Sequence, residues 1–79
     1  MKANSSATIA IKLNGKTAEL PVGQSVIDLL AGKDLKPQMV VVEINGTIVA
    51  RASFAETLLE SGDEVEIVHF VGGGEALPG

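Results

Sequence analysis

Cysteine, tryptophan and tyrosine are absent from this chain, and its only aromatic side chains besides one histidine are two phenylalanines. Without cysteine the protein has no disulfide, no thiolate nucleophile and no thiolate metal site. A chain without cysteine fits a reducing compartment, and we expect a cytoplasmic location. With so few aromatic rings, the protein also offers little surface on which nucleic-acid bases could stack.

Basic residues and long apolar runs are scarce as well. The chain has six lysine and arginine residues against ten aspartate and glutamate residues, a formal net charge of −4. The basic residues form no run, so neither nucleic acid nor an anionic membrane is a favoured partner. The longest apolar run, MVVV at residues 39–42, is far shorter than the ~20 residues that span a bilayer. The polar start, MKANSS, lacks the apolar core of a signal peptide, so we expect one small soluble domain.

Two Asn-Gly pairs, each between strand-like runs, predict two β-hairpins. The pairs are Asn14-Gly15 and Asn45-Gly46. Both residues of such a pair accept a positive φ, which the tight turn of a hairpin requires. The flanking strands are predicted at residues 8–13, 16–20, 40–44 and 47–50.

One short helix is predicted between the hairpins, and a further helical turn after them. Ser25 and Asp28 form a capping-box-like pair at a helix start, and Gly32 is a candidate left-handed stop. Apolar residues follow the cap at helical spacing, at Val26, Leu29 and Leu30. Ser53 with Glu56 repeats the capping pattern and predicts a one-turn or 3₁₀ segment that runs through residue 59.

The last strand is predicted in residues 63–71, DEVEIVHFV. The element order is then β-β-α-β-β-(short helix)-β, which predicts a two-layer α+β domain with the helix across one face of a mixed sheet of about five strands. This is the β-grasp, or ubiquitin-like, architecture. We expect the domain to span residues 8–71, between a flexible N-terminus at 1–7 and a flexible glycine-rich tail at 72–79.

Alternation in the last strand places His69 on the same face as Val65 and Ile67. His69 is the only histidine, and the sequence places no carboxylate and nucleophile beside it, as a general base would need. We therefore predict a structural or partner-contacting histidine. We also predict no catalytic residue, metal site or cofactor on this chain.

The chain continues from the last strand into Gly72, Gly73 and Gly74. A phosphate-binding loop is excluded, because Glu75 follows without a lysine or room for a helix. The run is either a simple flexible end or a lead that threads a narrow channel and presents a reactive carboxylate. Such a carboxylate would first be adenylated by ATP, and a sulfur donor would then displace AMP to leave a thiocarboxylate. The partner enzyme would hold ATP and its metal.

Three blocks of the chain resemble the ThiS-type sulfur carriers of thiamine biosynthesis. They are GQSVIDLL at 23–30, VVEINGTIVAR at 41–51 and GDEVEIVHFVGGG at 62–74. The resemblance implies a β-grasp carrier that a ThiF-type enzyme adenylates and that donates sulfur to the thiazole synthase. The carrier would thus be a co-substrate and not an enzyme.

The resemblance also assigns site residues. Gly73 and Gly74 match the terminal Gly-Gly that carries the thiocarboxylate. Partner contacts are implied where the last strand ends, at Phe70, Val71 and Gly72. Alternation places Val68 on the same face as Phe70, and this arrangement predicts an exposed apolar patch. Alternatively, both residues close the edge of the sheet.

Residues 75–79 depart from the family pattern, because Gly74 is joined to Glu75 and has no free carboxylate. We expect a protease to remove these five residues; otherwise the chain cannot carry sulfur at Gly74. Activation at Gly79 is less favoured because Pro78 is stiff where a narrow channel requires glycine. Two other functions stay open: a carrier of the molybdopterin or another sulfur pathway, and a non-reactive β-grasp interaction module such as a TGS domain.

Overall fold

The computed structural model describes residues 7–70, which form a five-stranded mixed sheet with one helix across it. The elements are β1 (Thr8–Leu13), β2 (Lys16–Pro21), α1 (Val26–Gly32), β3 (Val40–Ile44), β4 (Thr47–Ile48) and β5 (Glu64–His69), with 3₁₀ turns at Pro37–Met39 and Arg51–Ser53. The strand order is β2-β1-β5-β3-β4. The predicted α+β β-grasp fold is therefore confirmed. Residues 1–6 of the predicted flexible N-terminus at 1–7, the predicted flexible tail at 72–79 and the predicted strand end at Val71 lie outside the described residues.

Both Asn-Gly pairs form the predicted hairpin turns. Asn14 and Gly15 have φ angles of 50° and 85°, and Asn45 and Gly46 have 54° and 85°. Two consecutive positive φ angles are typical of a type I′ turn, whose twist matches that of the flanking strands. The prediction of β4 over 47–50 is too long, because β4 ends at Ile48 and the chain enters the 3₁₀ turn at Arg51.

The helix begins at the predicted cap. The Ser25 hydroxyl accepts a hydrogen bond from the Asp28 backbone N–H at 3.2 Å, and the Asp28 carboxylate accepts one from the Ser25 N–H at 3.0 Å. This reciprocal pair is a capping box with aspartate in the place of glutamate.

The helix ends at Gly32 as predicted, but the predicted left-handed conformation of Gly32 is wrong. Gly32 is the last helical residue, and the left-handed residue is Asp34, with φ 61°. The backbone N–H of Asp34 bonds the Ala31 carbonyl at 3.1 Å, and that of Leu35 bonds the Leu30 carbonyl at 2.9 Å. These two bonds define a Schellman motif, in which a short polar residue replaces the usual glycine.

The prediction of the second helical segment is also misplaced. The 3₁₀ turn covers Arg51–Ser53 and has no side-chain cap, so the predicted capping box of Ser53 and Glu56 is wrong. The Ser53 carbonyl instead accepts a hydrogen bond from the Thr57 hydroxyl at 2.7 Å. Phe54 follows the turn and is only 2% exposed, so burial of this side chain fixes where the turn lies.

The core lies between α1 and the inner face of the sheet. Its buried apolar residues are Ile11, Val26, Leu29, Leu30, Val40, Val42, Phe54, Leu59 and Val65. Each such side chain contributes roughly 1.5–3 kcal/mol relative to an exposed position. Ile67 packs at the rim of this core and is only half-buried. Within residues 7–70, no helix has the length and apolar character that a membrane crossing requires.

Candidate partner-binding site at the end of the last strand

The chain leaves the domain from the centre of the sheet. β5 runs parallel to β1 and antiparallel to β3. Its pairing with β1 ends at Leu13 and Val65. On the other side β3 stays paired as far as His69, and the Phe70 N–H bonds the Met39 carbonyl at 2.8 Å. Phe70, the last described residue, is therefore bonded to the turn residue that precedes β3.

Asn14 and Asn45 fix both sides of β5. The Asn14 side chain accepts a hydrogen bond from the Ile67 N–H at 2.8 Å and donates one to the Ile67 carbonyl at 3.3 Å. The Asn45 side chain accepts one from the Glu64 N–H at 2.9 Å. Sequence reasoning identified both asparagines only as turn formers, since nothing in the local pattern shows that their amides replace a strand partner.

The outer face of the sheet, opposite α1, carries exposed apolar side chains. Val68 is 57% exposed and lies opposite Val41 on β3, and Ile48 on β4 is 63% exposed. Phe70 is half-buried. We call Val41, Ile48, Val68 and Phe70 the outer patch. Val68 does not lie at the edge of the sheet, because β5 is its central strand.

Acidic side chains adjoin the outer patch. Glu43 and Glu66 are directly opposite each other on β3 and β5. Like charges at such positions destabilise a sheet. On the other side of β5, Glu64 lies next to Lys12 in the register of β5 with β1. A partner surface with apolar and basic groups would offset the repulsion between Glu43 and Glu66.

His69 lies on the other face of β5, as alternation predicts. It lines a groove of about 410 Å³ together with Ile67 and residues of the first hairpin. Within residues 7–70, no group of three or more His, Cys, Asp or Glu side chains is arranged to hold a metal ion. His69 therefore lies at a surface groove whose described lining includes no aspartate or glutamate.

The predicted site residues are only partly within the described structure. Val68 and Phe70 lie on the same face of the sheet as Val41 and Ile48, and Val41 is directly opposite Val68. Val71, Gly72, Gly73 and Gly74 lie outside the described residues, so the assignment of the thiocarboxylate to Gly74 stays a prediction.

Comparison with known proteins identifies the family. The model of the ThiS family matches residues 11–74. The chain is 42% identical over 65 residues to the sulfur carrier protein ThiS of Bacillus subtilis, an alignment that covers 81% of this chain and 98% of that protein. It is also 37% identical over 68 residues to the thiazole synthase of Magnetococcus marinus, where the alignment covers 86% of this chain but only 21% of the relative.

A solved structure agrees with these matches. The crystal structure of thiamine biosynthesis protein ThiS from Geobacter metallireducens superposes with a TM-score of 0.67 at 33% identity, covering 84% of this chain and 100% of that one. The chain thus spans about a fifth of the thiazole synthase relative and nearly all of the small carrier. This chain belongs to the ThiS family.

Proposed function

We propose that this protein is a sulfur carrier of thiamine biosynthesis, with Gly74 as the residue that carries the sulfur. The observation that supports it best is the family match, which ends at Gly74. A relative of the same size is named a sulfur carrier, and two larger relatives are named thiazole synthases. The thiazole synthases favour a thiamine role over a role in molybdopterin synthesis.

The proposed chemistry takes place at a backbone carboxylate. The Gly74 carboxylate attacks the α-phosphate of ATP and expels pyrophosphate, which leaves an acyl adenylate. A persulfide then attacks the acyl carbon and expels AMP, and a thiol reduces the resulting disulfide to leave the thiocarboxylate. The carrier positions the reacting group, whereas the partner binds ATP and its metal. The chain acts in this scheme as a protein co-substrate and not as an enzyme.

The peptide bond between Gly74 and Glu75 has to be hydrolysed before this chemistry can begin. A backbone carbonyl within a peptide bond has no carboxylate to attack ATP. We propose that a protease removes residues 75–79 and that the chain that contains them is a precursor. The thiazole synthase would be the acceptor of the sulfur.

The outer patch is the proposed docking surface for a ThiF-type adenylating enzyme. Two of its residues, Val68 and Phe70, lie on the segment that leads to Gly74, and Val68 is largely exposed. Burial of exposed apolar side chains supplies affinity, and the neighbouring Glu43 and Glu66 would speed association with a basic surface. Contact at this patch would direct the glycine lead toward the bound ATP.

Exchange of radiolabelled pyrophosphate into ATP tests the proposal. We expect a ThiF-type enzyme to catalyse exchange with a chain that ends at Gly74 and not with the full chain. A chain with Gly74→Val at the same end serves as the matched control and should lose exchange, because the branched side chain does not fit a channel that accepts glycine. Equal exchange by all three proteins would contradict the assignment of Gly74.

A further inference from the structure

A groove lies on the helix side of the sheet, opposite the outer patch. It is bounded by the tip of the first hairpin, the loop after α1 and the end of β5, and its volume is about 410 Å³. This is within the ~300–1,000 Å³ range of ligand-binding clefts. The lining residues are Leu13, Asn14, Lys16, Thr17, Ala18, Lys33, Leu35, Ile67 and His69. We call it the hairpin groove.

The hairpin groove is basic although the chain is acidic. Its lining includes Lys16, Lys33 and His69 and no aspartate or glutamate, whereas the whole chain has ten acidic and six basic residues. The rest of its surface is mainly apolar, from Leu13, Ala18, Leu35 and Ile67. A ligand with negative charge and an aliphatic group complements this arrangement.

A strand edge that pairs with no other strand among residues 7–70 borders the same groove. The backbone groups of Val65 and Ile67 point toward the first hairpin, where they bond Asn14. Backbone groups of alternate residues point the same way along a strand. The N–H and C=O of His69 therefore point to the side on which β1 has already ended. Such an edge pairs with an extended peptide.

We propose that the hairpin groove binds an extended acidic segment of a partner protein that carries at least one aliphatic side chain. The segment pairs its backbone with His69, places its carboxylates near Lys16 and Lys33, and inserts the aliphatic group between Leu35 and Ile67. This site does not depend on the sulfur chemistry. It lets the carrier bind one partner at the outer patch, beside Glu43 and Glu66, and another at the basic groove, on opposite sides of the same exit.

Nuclear magnetic resonance titration of the ¹⁵N-labelled full chain tests the site. The probe is the peptide acetyl-Asp-Leu-Glu-Ile-Asp-amide, and its control is the uncharged analogue acetyl-Asn-Leu-Gln-Ile-Asn-amide. We expect saturable shifts at the amides of Ala18, Leu35, Ile67 and His69 with the acidic peptide, and about tenfold weaker binding of the analogue. No saturation, or shifts centred on the outer patch, would overturn the proposal.

Matched lysine variants separate this site from general attraction of charge. Lys16→Ala with Lys33→Ala should weaken peptide binding about fivefold to twentyfold, since each surface charge pair accounts for about a twofold to fivefold change. Lys12→Ala removes a lysine that faces the outer side of the sheet and should change binding less than twofold. Equal effects of Lys12 and the groove lysines would overturn the proposal.

Two further results would identify a different occupant of the hairpin groove and would also overturn the proposal. Inorganic phosphate that saturates the same amides with the affinity of the acidic peptide would make the groove a small-anion site. Peptide binding that appears only after removal of residues 75–79 would mean that Glu75 and Leu77 of this chain occupy the groove themselves.

Discussion

At the scale of single residues, the position of the last strand depends on two asparagine side chains. Asn14 bonds both backbone groups of Ile67, which lies 53 residues away in the sequence. Asn45 bonds the N–H of Glu64 and the carboxylate of Asp63. An Asn-Gly pair predicts a turn, but its amide partners depend on which strand the fold brings alongside. These contacts could therefore not be read from the sequence.

Asn14→Gly isolates the contribution of the Asn14 amide, because glycine keeps the positive φ of the turn. We expect a free energy of unfolding lower by about 1–2 kcal/mol, as two hydrogen bonds are lost. Amide hydrogen exchange at Ile67 should become faster. Asn45→Gly is the matched control and should speed exchange at Glu64 and not at Ile67. Unchanged exchange at Ile67 in Asn14→Gly would contradict this role.

Asp34 is the other informative single residue, because it holds a left-handed conformation that glycine adopts without steric cost. Asp34→Gly should raise the free energy of unfolding by up to about 1 kcal/mol, and Asp34→Ala should lower it by a similar amount. Urea denaturation of both variants measures the difference. A glycine variant no more stable than the alanine variant would show that the Schellman geometry does not limit stability.

At the scale of elements, β5 connects the core to the proposed docking surface. Val65 on its inner face is 1% exposed, while Val68 on its outer face is 57% exposed. The strand and its alternation of faces were predictable, because a period of two in apolar residues is local information. The turn residues were predictable because an Asn-Gly pair is also a local signal. The strand's neighbours were not, since pairing of β5 with β1 and β3 joins distant parts of the chain.

The same limit explains the incorrect element predictions. Capping pairs are local, so the helix start at Ser25 was correctly predicted. The 3₁₀ turn at Arg51–Ser53 depends instead on burial of Phe54 in a core built from distant residues. Its position could not follow from the Ser53 and Glu56 spacing alone.

Aspartate placed on either face of β5 separates the roles of the two faces. Val65→Asp should abolish cooperative thermal unfolding, because a buried unpaired charge costs several kcal/mol of a marginal stability. Val68→Asp should leave the far-ultraviolet circular dichroism and the melting temperature nearly unchanged. With a ThiF-type enzyme and chains ending at Gly74, it should raise the KM for the carrier about tenfold. A folded Val65→Asp protein, or an unchanged KM for Val68→Asp, would contradict this account.

At the scale of the whole molecule, two surfaces of opposite charge lie on either side of one exit. Glu43 and Glu66 adjoin the outer patch, and Lys16 and Lys33 line the hairpin groove. Exposed charges are screened within about 8 Å at physiological salt. We expect the association rate with the adenylating enzyme to fall as salt rises, and Glu43→Gln with Glu66→Gln to flatten that dependence in stopped-flow measurements. An unaltered salt dependence would show that these carboxylates do not contribute to the association rate.

The most direct test of the central claim is the intact mass of the protein purified from its own cells while they synthesise thiamine, with no added thiol. We predict a chain that ends at Gly74 with one carboxylate oxygen replaced by sulfur. A mass that retains residues 75–79 and shows no such replacement would contradict the assignment of a processed sulfur carrier.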